Sequence, residues 1–189
     1  MKQLVNKLKK LGYHISAAES CTGGLVSKLL TDTAGASDVF DCAVTTYSNE
    51  AKIKLLGVKP ETLDKFGAVS EQTAREMASG VLALSGADIA VSVTGLAGPN
   101  GDGSEKPVGT VCIGIATGEK NYATEFLFAG SRAQIRRMAA KMACRMVFDE
   151  LGVADKKPKR RKHPAKGKKK AVKTKSAKTK KAKHAKAKD

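Results

Sequence analysis

The chain has no tryptophan, and phenylalanine and tyrosine together supply only eight of its 189 residues. Its core must therefore be built from Val, Ile, Leu, Ala and Met. No apolar run approaches the roughly 20 residues that cross a bilayer, so no helical membrane span is expected. Cysteine is sparse: Cys21, Cys42, Cys112 and Cys144 show no metal-ligand spacing. Without a secretory leader pattern, reduced thiols in a cytoplasmic protein are the expectation. Cys42 and Cys112 lie in apolar strand-like runs and read as small core residues. Only three histidines occur, one at position 14 and two near the C-terminus, which makes no histidine metal cluster. No metal and no cofactor is expected.

Acidic residues are scarce at one end of the chain. Residues 155–189 hold 18 Lys plus Arg against two Asp, leaving 17 basic and 16 acidic residues in the first 154. The net charge of +17 is thus almost wholly a property of the tail. The expected organisation is one domain over 1–154, long enough for a real core, and a Lys/Ala-rich basic tail over 155–189. The tail has no aromatic residue and no leucine, so it is expected to be disordered. A charge density of this kind fits non-specific nucleic acid contact through 156–188; polyphosphate, an acidic protein or an anionic membrane surface are alternatives.

Within the first 154 residues, helical and strand-like patterns alternate. Helices are expected over 2–11, 23–31, 49–56, 60–66, 71–84 and 131–151, and strands over 13–18, 39–47, 89–93, 108–116 and 122–128. Pro60 suits a first helical turn, Ser70 and Ser131 suit N-caps, and Gly86 suits a helix stop. The last two strands read as a hairpin about Gly118. The fold class is α/β: a three-layer α/β/α sandwich with a mixed sheet.

The chemistry-bearing stretch is Glu19-Ser20-Cys21-Thr22-Gly23-Gly24, where a strand turns into a helix. Glycines there let a ligand approach the backbone, and helix-start amides favour anionic groups. The turn suits either a phosphate or a nucleophile beside oxyanion donors. A second feature is Lys52. On a wheel of about 100° per residue, Ala51, Ile53, Leu55 and Leu56 centre their apolar face near Lys52, with Lys54 opposite. An inward lysine needs a carboxylate partner, or it loses its proton more easily and can serve as a base; the alternative is a side chain that snorkels to water.

Further segments follow in order: Thr45-Thr46-Tyr47-Ser48-Asn49-Glu50-Ala51-Lys52, Gly67-Ala68-Val69-Ser70, Thr94-Gly95-Leu96-Ala97-Gly98-Pro99 and Lys106-Pro107-Val108-Gly109-Thr110. Together with the Ser20 turn they resemble the CinA C-terminal family, the nicotinamide-nucleotide amidohydrolases, over about residues 5–150. Some members of that family carry an additional N-terminal domain; this chain resembles the stand-alone form. The resemblance implies the same α/β/α layering, a nicotinamide mononucleotide substrate and a serine–lysine pair that cleaves its carboxamide. The matching positions are Ser20 as nucleophile and Lys52 as base. It also suggests a homo-oligomer.

Around that pair, amides near Thr22, Gly23 and Gly24 are candidate oxyanion donors. Glu19 either orients Lys52 and the substrate or caps the following helix, and Cys21 is a rival thiol nucleophile. Tyr47 or Ser48 can hold the lysine or the substrate ribose, and Asn49 is a candidate N-cap. The loop opening at Gly95 forms a second wall, with Lys106 and Arg132 as candidate phosphate ligands and Arg136 on the same face as Arg132. Met138, Met142 and Met146 read as core or subunit contact. A nucleic-acid-associated protein whose domain binds a nucleotide without hydrolysing it is the competing function.

Overall fold

A computed structural model describes residues 1–154; the expectations of a disordered tail over 155–189 and of nucleic acid contact through 156–188 lie outside the described residues. The elements run α1 (Lys2–Leu11), β1 (Ile15–Glu19), α2 (Leu25–Thr31), a short 3-10 turn (Ala36–Asp38), β2 (Phe40–Thr45), α3 (Asn49–Leu56), α4 (Pro60–Phe66), α5 (Glu71–Ser85), β3 (Ile89–Gly95), β4 (Thr110–Thr117), β5 (Asn121–Leu127) and α6 (Arg132–Ala154). Each expected element is present, with ends displaced by a few residues.

The strands form one mixed sheet in the order β2-β1-β3-β4-β5. The first three are parallel, and β4 and β5 add antiparallel. Helices cover both faces, as a largely parallel sheet requires. The pleat divides the strand residues between two faces. Ile15 and Ala17 of β1, Ile89, Val91 and Val93 of β3, and Val111, Ile113 and Ile115 of β4 join α1, α2 and α6 in the larger core. The alternating positions are small. Ser16 and Ser92 bond the Val81 and Ala74 carbonyls of α5, and a Cβ at Gly114 would overlap that Ala74 carbonyl. Small residues on this face let α5 lie close against the sheet. Ala18 and Ala90 extend it into a second core with Leu56, Val58, Leu63, Met77 and Val81.

Local chemistry sets the helix ends. Ser70 accepts from the Thr73 amide at 3.1 Å, and Gly86 ends α5 with φ of 67°. At α3 the cap is Ser48, whose hydroxyl accepts from the Ala51 amide, rather than Asn49. On the same helix Lys52 and Leu56 point inward, while Ile53 and Leu55 are among the exposed apolar residues. Of the four residues that define the wheel's apolar face, Ile53 and Leu55 thus turn outward, although the wheel puts Lys52 and Lys54 on the correct sides. Cys42 is only half-buried because β2 is an edge strand; Cys112, in β4, is fully buried. Met138, Met142 and Met146 flank the buried stripe of α6 against the larger core. The first and last helices lie side by side, with the Lys7 ammonium 4.6 Å from the centre of the Phe148 ring. Among the described residues no helix is long and apolar enough to cross a membrane.

Candidate active site

The three parallel strands end level: Glu19 of β1 stands opposite Thr45 of β2 and Val93 of β3. From this edge β1 leads into α2 on one face of the sheet and β2 leads into α3 on the other. Chains that part to opposite faces leave a crevice at the carboxyl ends of their strands, the usual ligand position in open α/β sheets. Ser20 and Lys52 meet there.

Ser20 follows β1 directly, and its amide donates to the Val93 carbonyl at 2.9 Å. Lys52, one turn into α3, is 1% exposed. Its Nζ lies 3.2 Å from Ser20 Oγ and 3.0 Å from the Thr46 carbonyl oxygen. No carboxylate among the described residues pairs with it. Burial pulls the ammonium below the ordinary lysine value of 10.5, partly opposed by nearby Cys21 and Glu50. The arrangement holds an amine that surrenders its proton readily, within hydrogen-bond reach of a serine hydroxyl. Cys21 differs: burial pushes its thiol up to about 11, which keeps it protonated at neutral pH.

The turn between Ser20 and α2 contains two glycines with positive φ, Gly23 at 54° and Gly24 at 95°. It is braced from two sides. The Glu19 carboxylate accepts from the amides of Gly24, Val26 and Ser27 and from the Ser27 hydroxyl, at 2.6–3.1 Å. Arg136, reaching from α6, donates to the Cys21 and Thr22 carbonyls at 3.0 and 2.8 Å. Glu19 thus caps α2 and does not touch Lys52 through its side chain. The Gly24 amide, expected as an oxyanion donor, is committed to Glu19, and the Gly23 amide donates to the Ser20 carbonyl. The hydroxyls of Thr22 and Thr46 are buried and bond to nothing among the described residues.

Arg132, in the first turn of α6, joins two other loops. Its guanidinium donates to the Gly98 carbonyl at 2.6 Å and to the Tyr47 hydroxyl at 2.9 Å. Tyr47 itself is 63% exposed. Gly95 closes β3, where a Cβ would overlap Thr110 and Val111 of β4, so its need for glycine is one of packing. Lys106, expected to face a phosphate, is held by Glu125 of β5 at 2.6 Å, and that carboxylate raises its pKa. No described bond links it to Ser20 or Lys52.

A family model for the CinA C-terminal domain matches residues 1–151. The chain belongs to that family. A putative competence-damage inducible protein of Caldanaerobacter subterraneus subsp. tengcongensis is 51% identical to it over 148 residues. That alignment takes in 78% of this chain and 36% of the relative; the chain spans about a third of the length of the first curated relatives it matches. A nicotinamide-nucleotide amidohydrolase PncC of Enterobacter agglomerans is 50% identical over 145 residues, 76% of this chain and 88% of that protein. Among solved structures, a CinA superfamily protein of Klebsiella pneumoniae 700603 superposes with a TM-score of 0.79 at 34% identity. It covers 80% of this chain and 95% of its own. A competence/damage inducible protein CihA of Agrobacterium tumefaciens gives 0.75 at 44% identity, covering 79% and 91%. The mixed five-stranded sheet with helices on both faces is thus that of the CinA superfamily.

Three parts of this CinA-family site were not drawn from the sequence: the Thr46 carbonyl beside Lys52, the Arg136 brace, and the saturation of Glu19. Arg136 had a signal, since it stands four residues after Arg132 on the same helix face. Thr46 and the donors to Glu19 had none beyond proximity.

Proposed function

We propose that this CinA-family chain hydrolyses the carboxamide of nicotinamide mononucleotide, yielding nicotinate mononucleotide and ammonia. The observation that carries the reading is the buried Lys52 amine, unpaired with any described carboxylate and 3.2 Å from Ser20 Oγ. The half-identical PncC relative, named as a nicotinamide-nucleotide amidohydrolase, supports the substrate.

In this scheme neutral Lys52 accepts the Ser20 proton as Oγ attacks the carboxamide carbon. The amides of Cys21 and Thr22, which no main-chain carbonyl among the described residues engages, are the donors left for the developing oxyanion. Lys52 then gives its proton to the leaving nitrogen, the C–N bond breaks and ammonia departs. Water attacks the acyl-enzyme with Lys52 again as base, the acyl–Oγ bond breaks, and Ser20 regains its proton. The sequence of steps is redox-neutral. Arg132 suits the phosphate, Tyr47 the ribose or ring, and the unpartnered Thr22 hydroxyl a polar group of the substrate. The product re-enters pyridine-nucleotide (NAD) recycling in the cytoplasm. The outward Ile53 and Leu55 fit a homo-oligomer.

The tail favours a second activity beside the first. Its net charge of +16 fits sequence-independent contact with nucleic acid phosphates.

Ammonia release from nicotinamide mononucleotide by the full chain, its Ser20→Ala and its Lys52→Ala variants tests the amidase. Release by wild type and loss of about 100-fold or more in both variants is expected. A folded wild type that releases none defeats the reading for this substrate and leaves nucleotide binding without hydrolysis.

A further inference from the structure

We propose that Glu19 is a positioning residue of the reaction: its carboxylate ties the nucleophile turn to α2, while its carbonyl ties the same point to the segment that holds Lys52. The inference rests on the amidase reading above.

Glu19 is fully buried. Its carboxylate receives four hydrogen bonds: Gly24 N at 2.8 Å and Val26 N at 3.1 Å on one oxygen, Ser27 N at 2.9 Å and Ser27 Oγ at 2.6 Å on the other. An ionised carboxylate offers about four acceptor positions, so this one has none left for substrate. The helix it caps, α2, has Gly24 at its N-cap position, where there is no side chain to do so. The cap comes instead from the strand, across a turn with two positive-φ glycines.

The main chain of Glu19 continues the connection. Its carbonyl accepts from the Thr46 amide at 2.8 Å, and the Thr46 carbonyl accepts from Lys52 Nζ at 3.0 Å. Ser20 is the next residue along the chain. One residue therefore braces the turn that presents Oγ, from the side opposite Arg136, and through Thr46 places the oxygen that orients Nζ. The separation of nucleophile and base is set where the two paths meet. A displacement of about 1 Å at a reacting pair costs on the order of 100-fold in rate.

The test is Glu19→Gln in the full chain, with ammonia release from nicotinamide mononucleotide followed across pH. Glutamine keeps the shape but turns an NH2 toward backbone donors. Far-UV circular dichroism and the Tm establish that the variant is folded at the assay temperature. The expected result is a fall in kcat of about tenfold or more, KM within about threefold, and the acid limb of kcat/KM moved to higher pH. The direction matters. A loosened turn lets water reach Nζ and raises the Lys52 pKa, so more alkali is needed to free the amine. Loss of the Glu19 charge through space would lower that pKa, moving the limb the other way. Cys21 and Glu50, the titratable groups that act on Lys52, are unchanged in the variant.

Ser27→Ala removes only the 2.6 Å donor and is expected to shift kcat and the limb the same way by less. It carries the test alone if Glu19→Gln does not fold. An unchanged kcat, a limb moved to lower pH, or a rate loss matched by the unfolded fraction would overturn the proposal. An inactive wild type would instead defeat the amidase reading itself.

Discussion

A lysine whose ammonium sits in the protein interior works against its own solvation, and Lys52 shows both sides of that. Burial lowers its pKa from the ordinary 10.5, which makes the neutral amine available as a base. The same burial penalises the charged form in the folded state. Between the depressed folded value and 10.5 the unfolded chain binds more protons than the folded one, so stability rises with pH across that window. Below the folded value the whole penalty is present. Lys52→Met is therefore expected to abolish ammonia release and to flatten this rise. Urea midpoints of wild type and variant across pH check it: the two curves should converge as pH approaches 10.5. A constant gap between them would mean that Lys52 is not solvated differently in the two states.

At the scale of elements, α3 must stand where Lys52 reaches Ser20, and its support is α5. Gly80 of α5 has no room for a side chain, because a Cβ there would overlap the Leu56 carbonyl at the end of α3. Alanine is the better helix former by about 1 kcal/mol, so helix propensity alone favours Gly80→Ala. Overpacking costs about 1–3 kcal/mol and is expected to win. The variant should lose stability by chemical denaturation and lose ammonia release beyond its unfolded fraction, since α3 is pushed away from α5. A stabilised, fully active Gly80→Ala would show that the contact yields easily.

Much of this level was legible in the sequence. Pro60, Ser70 and Gly86 marked helix ends by chemistry that acts within a few residues, and the apolar periods located every strand. What the sequence withheld depends on partners far along the chain. Lys106 looked free for a phosphate because Glu125 is 19 positions away and meets it only once β5 has formed. Cys42 looked like core because nothing local says that β2 has a neighbour on one side only. Glu19 presented two roles within one motif, and only the position of α2 decides for the cap. In α3 the apolar wheel put Lys52 inward but misplaced Ile53 and Leu55, since eight residues constrain a face poorly.

For the whole molecule, the charge is unevenly spread. Residues 1–154 carry a net charge near +1, whereas the remaining 35 carry +16. Ending the chain at Ala154 is expected to leave ammonia release within about twofold while removing retention on duplex DNA. If the tail neutralises six to ten phosphates, affinity of the full chain falls by about 10³–10⁵ between 50 and 200 mM salt. Binding assays at several salt concentrations read that slope; a flat slope would rule out phosphate contact, and an inactive truncated but folded domain would tie the tail to catalysis.

The neighbouring first and last helices carry a further consequence. Where Lys7 lies over Phe148, the two ends of the domain meet, so the order of its elements is closer to a ring than to a line. A ring can be opened elsewhere. The β4–β5 hairpin turns at Gly118, whose surroundings are open, and a break there separates neither Ser20 from Lys52 nor any parallel strand from its partner. A domain of this kind can be grafted as a cassette between or behind other sequences without stretching its ends.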